Sequence, residues 1–467
     1  MKIKNIIKTL VLSGVILVSS CKDDYLNQKP QAALDATTAY TDAASVKSGL
    51  LGIYGQTASS TSVTGGGFQN GNYYGLRYWA LTDLYAGSIT HTGTFPSFSS
   101  IANGLILADN AEVVNMWNSM YATINRANTL IAAIPNIKDG ALNKDASLAE
   151  AKVIRALVYF DLLRLWGGSN SGYNKSGGVG VPIILQPTLV EADATPVARS
   201  TEAQVYTQIN KDLDDAIAAA SYSNKLTGRF GKDAAKAVKA RVALYMGDYA
   251  MAETMASAVI SSTSYALQPG ATYSNIWLTQ NTAESVFELQ FDAQNSNGIA
   301  FFYYPTNRGG RNEINASAAL NNAHETGDVR KPVNYAASPA KTTLKYTRIS
   351  TGADDVTMIR IAEMYLIRAE ARIKKSTPDI AGALSDVNKI RNRAGLADYV
   401  ALLPSDILTQ IIKEDRLEFA HEGHYWFDLR RNGLASSIVS EPFRALWPIP
   451  QREVLNSGGV ITQNTGY

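Results

Sequence analysis

RVALYMGDYAMAETMASAVIS, residues 241–261, is the stretch that sets the architecture. Its two apolar halves meet at Gly247-Asp248, a glycine-led turn. Ala243, Ala250, Ala252, Ala256 and Ala258 are small enough to let two helices approach closely across it. Upstream, Thr201 and Gln204 form a capping box for a helix whose Val205, Ile209, Leu213, Ala216 and Ile217 share one face. Leu148 to Trp166 repeats the period through Ile154, Leu157, Val158, Leu162 and Leu165, and stops at Gly167-Gly168. From Asp109 to Ile134 the same spacing recurs in Val113, Trp117, Tyr121, Ile124, Ile131 and Ile134, until Pro135 ends it. These last two segments read as an antiparallel hairpin.

Downstream, MIRIAEMYLIRAEARIKK (358–375) places Ile361, Met364, Tyr365, Arg368 and Ala369 to pack, with Pro378 just beyond. DIAGALSDVNKIRNRAGL (379–396) pairs back on it. Pro404-Ser405-Asp406 then opens one run through residue 433, with Ile407, Ile411, Leu417 and Phe419 on its apolar face and Gly433 at its end. The chain is therefore expected to be mostly α, with about four helical pairs similar to tetratricopeptide repeats. The scaffold covers residues 109–260 and 357–433.

Two long stretches do not read as helix. Residues 61–103 are rich in Gly, Ser, Thr and aromatics; residues 264–351 hold the strand-like SVFELQFD (285–292), with Phe287, Leu289 and Phe291 on one face, then a loop. Loops of this length in a compact protein usually carry function, and both are aromatic-rich, so the functional side, with a few short strands, is placed there.

Composition narrows the classes. Without Lys2, Lys4 and Lys8 the chain has 40 basic and 41 acidic residues, which excludes a strongly basic nucleic-acid binder. Four histidines leave little room for a histidine-based catalytic or metal site, whereas 24 tyrosines suit contact with amphipathic ligands such as sugars or peptides.

The N-terminus reads as a secretion signal over residues 1–20: three lysines, an apolar run from Leu10 to Val18, and small Ser19 and Ser20. That run is shorter than the roughly 20 residues needed to span a bilayer. Cys21 is the only cysteine, so no internal disulfide is available to it. Leu17-Val18-Ser19-Ser20-Cys21 resembles a bacterial lipobox, and Cys21 is expected to be lipidated, leaving the protein anchored to a membrane.

The C-terminal motifs MIRIAEMYLIRAEA, ALSDVNKIRNRAGL, IIKEDRLEFAHEGHYWFDLRRNG and LWPIPQREVLNSGGVITQNTGY resemble the SusD/RagB family of Bacteroidetes outer-membrane lipoproteins, as do CKDDYLNQKP and the hairpin from Asp109 to Trp166. Thr465 departs from the proline common before the terminal Gly-Tyr. The resemblance implies a single SusD-like domain over residues 21–467 on the cell surface. It implies capture of oligosaccharide, or of peptide as in RagB-like proteins, and delivery to a SusC-like TonB-dependent transporter. It implies no enzyme activity and no cofactor, and Lys22-Asp23-Asp24 is similar to the signal for the outer leaflet. A surface glycoside hydrolase is the third alternative.

A sugar offers C–H patches that stack on rings and hydroxyls that need polar partners. Tyr73, Tyr74, Trp79, Phe95, Tyr303 and Tyr304 are the candidate faces; Asp83, His91, Asn307, Arg308 and Arg311 are the candidate polar contacts. Trp79→Ala or Tyr303→Ala is expected to keep the fold and lose ligand. Trp117 and Trp166, at helical spacing, read as core. His421, Glu422 and His424 look like a truncated zincin, but the histidines are three apart where a zinc helix needs four. They read instead as part of a network in which Glu418, Asp428, Arg430 and Arg431 satisfy one another beside Trp426; Glu363, Arg368, Glu370 and Arg372 read as charge pairs.

Overall fold

The computed structural model describes residues 39–58 and 72–467. Cys21, the signal segment and the glycine run 65–67 lie outside the described residues. Helix α1 (Ala43–Ala58) is followed by α2 (Arg77–Tyr85), α3 (Pro96–Ala102), α4 (Ala111–Ala133) and α5 (Lys144–Trp166). Asn110 and Asn143 start the last two by accepting hydrogen bonds from Glu112 N and Ala146 N. Helix α6 (Glu202–Ala218) carries the expected box, in which Thr201 Oγ1 accepts from Gln204 N at 3.2 Å and Gln204 Oε1 from Thr201 N at 2.8 Å.

Helices α7 (Lys232–Met246) and α8 (Tyr249–Ile260) meet at Gly247, whose φ of +77° is left-handed. Asp248 caps α8 by accepting from Met251 N. Ala243, Ala252 and Ala256 are buried where α7 packs along α8, whereas Ala250 is exposed; α8 packs in turn on α9 (Ile361–Lys374), joining the two halves of the chain. Helix α9 lies against α10 (Ile380–Arg393) and α11 (Pro404–Glu418), and α12 (Tyr425–Arg431) follows. From α4 to α10 each helix rests on the next. Trp117 and Trp166 are interior, with rings 5.1 Å apart edge to face.

The strands of the described residues form three two-stranded antiparallel sheets: β1 (Ile89–His91) with β5 (Ile314–Ala316), β2 (Val179–Pro182) with β3 (Arg199–Thr201), and β4 (Ser285–Leu289) with β6 (Val356–Arg360). Two helix boundaries differ from the sequence reading. Met358, Ile359 and Arg360 belong to β6, because β4 supplies their backbone partners, and α9 starts only at Ile361. The run from Pro404 to Gly433 breaks after Glu418: His421 and Gly423 take φ of +65° and +78°. A Cβ on Gly423 would lie 2.5 Å from Trp79 Cα, so only glycine lets this turn seat against α2. In β4 all five residues are buried, and Phe287 stacks on Phe230 at 3.8 Å, so its alternation marks no solvent face.

A buried ionic layer ties these pieces together. Arg360 meets Glu284 (2.7 Å), Glu418 (2.6 Å) and Glu422 (3.0 Å); Arg393 meets Glu284 (3.0 Å) and Glu418 (2.5 Å); Arg330 meets Asp328 (2.9 Å) and Glu414 (2.8 Å). Burial pushes the Glu418 carboxyl up, but Arg393, Arg360 and Arg330 more than offset it and hold it well below the usual range. Glu418 thus pairs with arginines of β6, α10 and the 328–330 turn, not with Arg430 or Arg431 as the sequence suggested. Arg430 instead donates to the carbonyls of Arg164 and Gly167, and Asp428 accepts from Arg431 at 2.6 Å. The charges on α9 pair between helices: Glu363 with Arg241, and Arg368 and Arg372 with Asp386.

Candidate ligand-binding cleft

The two aromatic loop regions meet at β1 and β5. Ile89 faces Ala316, Thr90 faces Asn315 and His91 faces Ile314; Thr92 N extends the ladder by donating to Glu313 O at 2.8 Å. Beside this ribbon, residues 305–313 fold back on 301–304. Arg311 N donates to Phe301 O, Asn312 N to Tyr304 O and Glu313 N to Phe302 O. A side chain at Gly310 would overlap the Tyr304 carbonyl, which accounts for the second glycine of Gly309-Gly310.

Between them opens a cleft of about 510 Å³, lined by Thr92, Gly93, Thr94, Pro305, Thr306, Arg311, Asn312 and Glu313. Its organising group is Glu313, a buried carboxylate. Glu313 accepts from Thr94 N at 3.0 Å and from Arg311 Nε at 3.0 Å, and His91 Nε2 lies 3.3 Å away. A Cβ on Gly93 would collide with that carboxylate. Ser99 fixes the other His91 nitrogen at 2.9 Å. The Arg311 guanidinium lies 4.7 Å over the Phe95 ring, and Phe95 is backed by Phe98 and Phe302. The result is a half-buried ring and a planar cation held in fixed geometry, flanked by Thr92 and Thr94 and by Asn312. A guanidinium so held is a planar donor of fixed orientation.

Of the eleven candidate residues, Arg311 lines this cleft; His91 lies behind it against Glu313 and Phe95 beneath Arg311, while Asn307 and Arg308 are exposed. The other six are interior, which corrects their reading as ligand contacts. Tyr73, Tyr74 and Tyr78 all donate to the buried Asp161 of α5, at 2.6, 2.7 and 2.9 Å. Trp79 is stacked between Tyr303 (6.4 Å) and Tyr346 (5.1 Å), and Tyr304 is buried. Asp83 accepts from Gly423 N at 3.2 Å, and burial, partly offset by that bond and by Lys345, pushes its carboxyl up to about 8. Large rings bury more apolar area inside than they would recover on a loop.

His421 does not face Glu422 and His424 across a common point. Its Nε2 donates to Asn334 O at 2.8 Å while Nδ1 accepts from Tyr303 OH at 2.7 Å; Glu422 pairs with Lys345 and Arg360. Sequence reasoning missed Glu313, Thr92, Thr94 and Asn312. Gly93 beside Thr92 and Thr94 was the available signal, since a glycine between polar residues marks a close approach.

Comparison with known proteins places these features. A profile described as "SusD family" matches residues 270–444, and one described as "Starch-binding associating with outer membrane" matches residues 24–244. A SusD-like protein of Formosa agariphila is 24% identical, with 100% of both chains covered. A SusD-like protein of Bacteroides ovatus is 23% identical over 90% of this chain and 81% of its own. Among solved structures, a SusD superfamily protein from Bacteroides thetaiotaomicron superposes with a TM-score of 0.78 at 26% identity, covering 91% of this chain and 100% of that one. A laminarin-binding SusD-like protein of known structure gives 0.73 at 23% identity, covering 92% and 100%. With two adjoining profiles of the same family spanning most of its length and the same helical scaffold beneath them, this chain belongs to the SusD/RagB family.

Proposed function

We propose that this protein is a cell-surface lipoprotein, anchored through Cys21, that captures oligosaccharide and passes it to a SusC-like TonB-dependent transporter. The observation that carries the capture role is the Arg311 guanidinium held by the buried Glu313 in the cleft. An oriented planar donor suits the paired hydroxyls of a pyranose, and Thr92, Thr94 and Asn312 add hydroxyl partners. The laminarin-binding neighbour and the starch-binding profile support a glucan as the first ligand class to test. Glu313 is the one carboxylate among the described residues lining the cleft, whereas a glycosidase sets two carboxyl groups against each other, and this favours capture as the first role to test.

The test is a binding screen of the chain from residue 22, lacking the leader, against laminarin-type and starch-type oligosaccharides and against peptides, with product analysis on every hit. Saturable glycan binding without product, lost in Arg311→Ala, supports the reading. Product release would make it a hydrolase, and peptide binding alone in the same cleft would make it RagB-like.

A further inference from the structure

Outside the cleft, the scaffold carries a larger groove of about 720 Å³, within the range of specific binding pockets. One wall is the chain after β2, residues 182–188, and the other is residues 193–197; Trp117, Asn118 and Tyr121 of α4 and the C-terminal segment 453–461 close it. Side chains pin the first wall. Tyr121 OH donates to Pro182 O (2.9 Å), Asn128 Nδ2 to Ile184 O (2.8 Å) and Asn125 Nδ2 to Thr188 O (3.0 Å). The second is closed on itself, with Asp193 accepting from Leu189 N and Val190 N. The groove is thus preformed. Trp117, Tyr121, Ile183, Leu185, Val197 and Ile461 make its lining mainly apolar. Leu185 and Val197, on opposite walls, stay 39% and 37% exposed, and such surface gains by being covered.

The point where the described chain begins lies within reach of this groove. Tyr40 packs on Gly49 of α1, where a Cβ would stand 2.5 Å from its ring, and beside Leu130 and Arg126 of α4. Ala43 N donates to Asp139 at 2.9 Å, which fixes the entry further. From Arg126 an exposed stripe through Ala122 to Asn118 follows α4 at i, i+4 spacing, and Asn118 lines the groove. Arg126 to Asn118 is about 12 Å along the helix axis. Residues 22–38 reach about 56 Å when extended at about 3.3 Å per residue, more than enough to cross α4 and enter the groove.

The composition of that segment calls for burial. Between the charged Lys22-Asp23-Asp24 and Asp35 stand residues 25–34, in which Tyr25, Leu26, Pro30, Ala32, Ala33 and Leu34 are apolar. A segment suited to remain in water is poor in large apolar side chains, and this one carries three within ten residues.

We propose that the groove is the docking site of the chain's own N-terminal segment, residues 25–34, whose Tyr25, Leu26, Pro30 and Leu34 cover its apolar lining. Docking needs no partner molecule, and the linkage through residues 35–42 holds the segment at high effective concentration beside the groove. With the segment docked, the free tether from Cys21 to Tyr25 is only about 13 Å long, so the face bearing the groove is held toward the membrane. That orientation rests on the anchoring through Cys21; the docking does not.

The test is amide hydrogen exchange on the chain from residue 22, read over residues 25–34 and compared with a free synthetic peptide of residues 22–38. The expected result is exchange at least about tenfold slower in the protein than in the peptide. Leu185→Asp with Val197→Asp changes two exposed positions and should return residues 25–34 to within about twofold of the peptide rate. Circular dichroism checks that this variant is folded. Leu26→Ser with Leu34→Ser should release the segment in the same way without touching the groove. Exchange at the peptide rate in the parent chain overturns the proposal, and so does slow exchange that survives the change at Leu185 and Val197. Protection that grows with protein concentration also overturns it, giving the groove to a second copy. The chain used lacks Cys21, so none of these outcomes bears on the anchoring or on the oligosaccharide cleft.

Discussion

Replacing Asp83 by asparagine should stabilise this protein, and by an amount that grows with pH. Asp83 sits on α2, fully buried, with one oxygen accepting from Gly423 N and the other without a hydrogen bond. Burial raises its pKa from 3.8 to about 8, against the pull of the Gly423 bond and of Lys345. An acid whose pKa rises on folding binds its proton more tightly in the native state. From pH 4 to pH 8 the native protein therefore holds a proton that the unfolded chain has released, and stability falls as pH rises through that window. At about 1.36 kcal/mol per unit, the penalty reaches about 4 kcal/mol at pH 7. Asparagine is isosteric, keeps the carbonyl for Gly423 and carries no charge, so Asp83→Asn removes the penalty. The expected gain is close to zero at pH 4, about 1.4 kcal/mol at pH 5 and about 3 to 4 kcal/mol at pH 7. The assay is chemical denaturation of both proteins at pH 4.5, 5.5 and 7. The series stops there because Lys345, whose pKa burial lowers to about 8, begins to lose its own proton above it. A variant that is less stable than the parent at pH 7, or a difference that does not change with pH, would refute the reasoning and mean that Asp83 is ionised in the fold.

Arg311→Ala should reduce affinity for the captured oligosaccharide tenfold or more, measured under conditions where circular dichroism shows the variant folded; calorimetric titration showing unchanged affinity would move the ligand out of this cleft. Trp79→Ala, expected from sequence to spare the fold, should instead cost about 3 to 5 kcal/mol, since the ring is 1% exposed between Tyr303 and Tyr346. Wild-type stability in denaturant would restore it as a loop residue. Arg360→Met leaves Glu284, Glu418 and Glu422 short of a cation and should lose about 3 to 5 kcal/mol, most of it recovered if Glu422→Gln is added; a silent single variant would contradict the ionic layer. Cys21→Ala should move the protein from the membrane fraction to the soluble one on fractionation of cells, and retention in the membrane would contradict lipid anchoring.

Much of the scaffold was legible because helices are local. The apolar period of α4 and α5, the Thr201–Gln204 box and the Gly247 turn depend on residues a few positions apart, and each stands where the sequence puts it. The boundaries that failed are those where a distant segment competes for the backbone. Met358 to Arg360 continue a helical period, yet β4 takes their hydrogen bonds, and Trp79 forces the break at Gly423.

The site was legible only as a region. Residues 89–91 and 314–316 are too short to show a strand pattern, and their pairing is what brings His91 and Phe95 to Arg311. Nothing near Glu313 in sequence marks it as the hub, because Thr94 and His91 lie more than 200 residues before it. Which aromatics are walls and which are surface was settled by partners equally remote: Asp161 for Tyr73 and Tyr74, His421 for Tyr303. By itself the sequence determined a family and a helical scaffold, since periodicity, caps and spaced motifs are read within a few turns of chain. The tertiary structure alone decided which rings and charges face a ligand, because burial is a property of what packs against a residue from elsewhere in the fold.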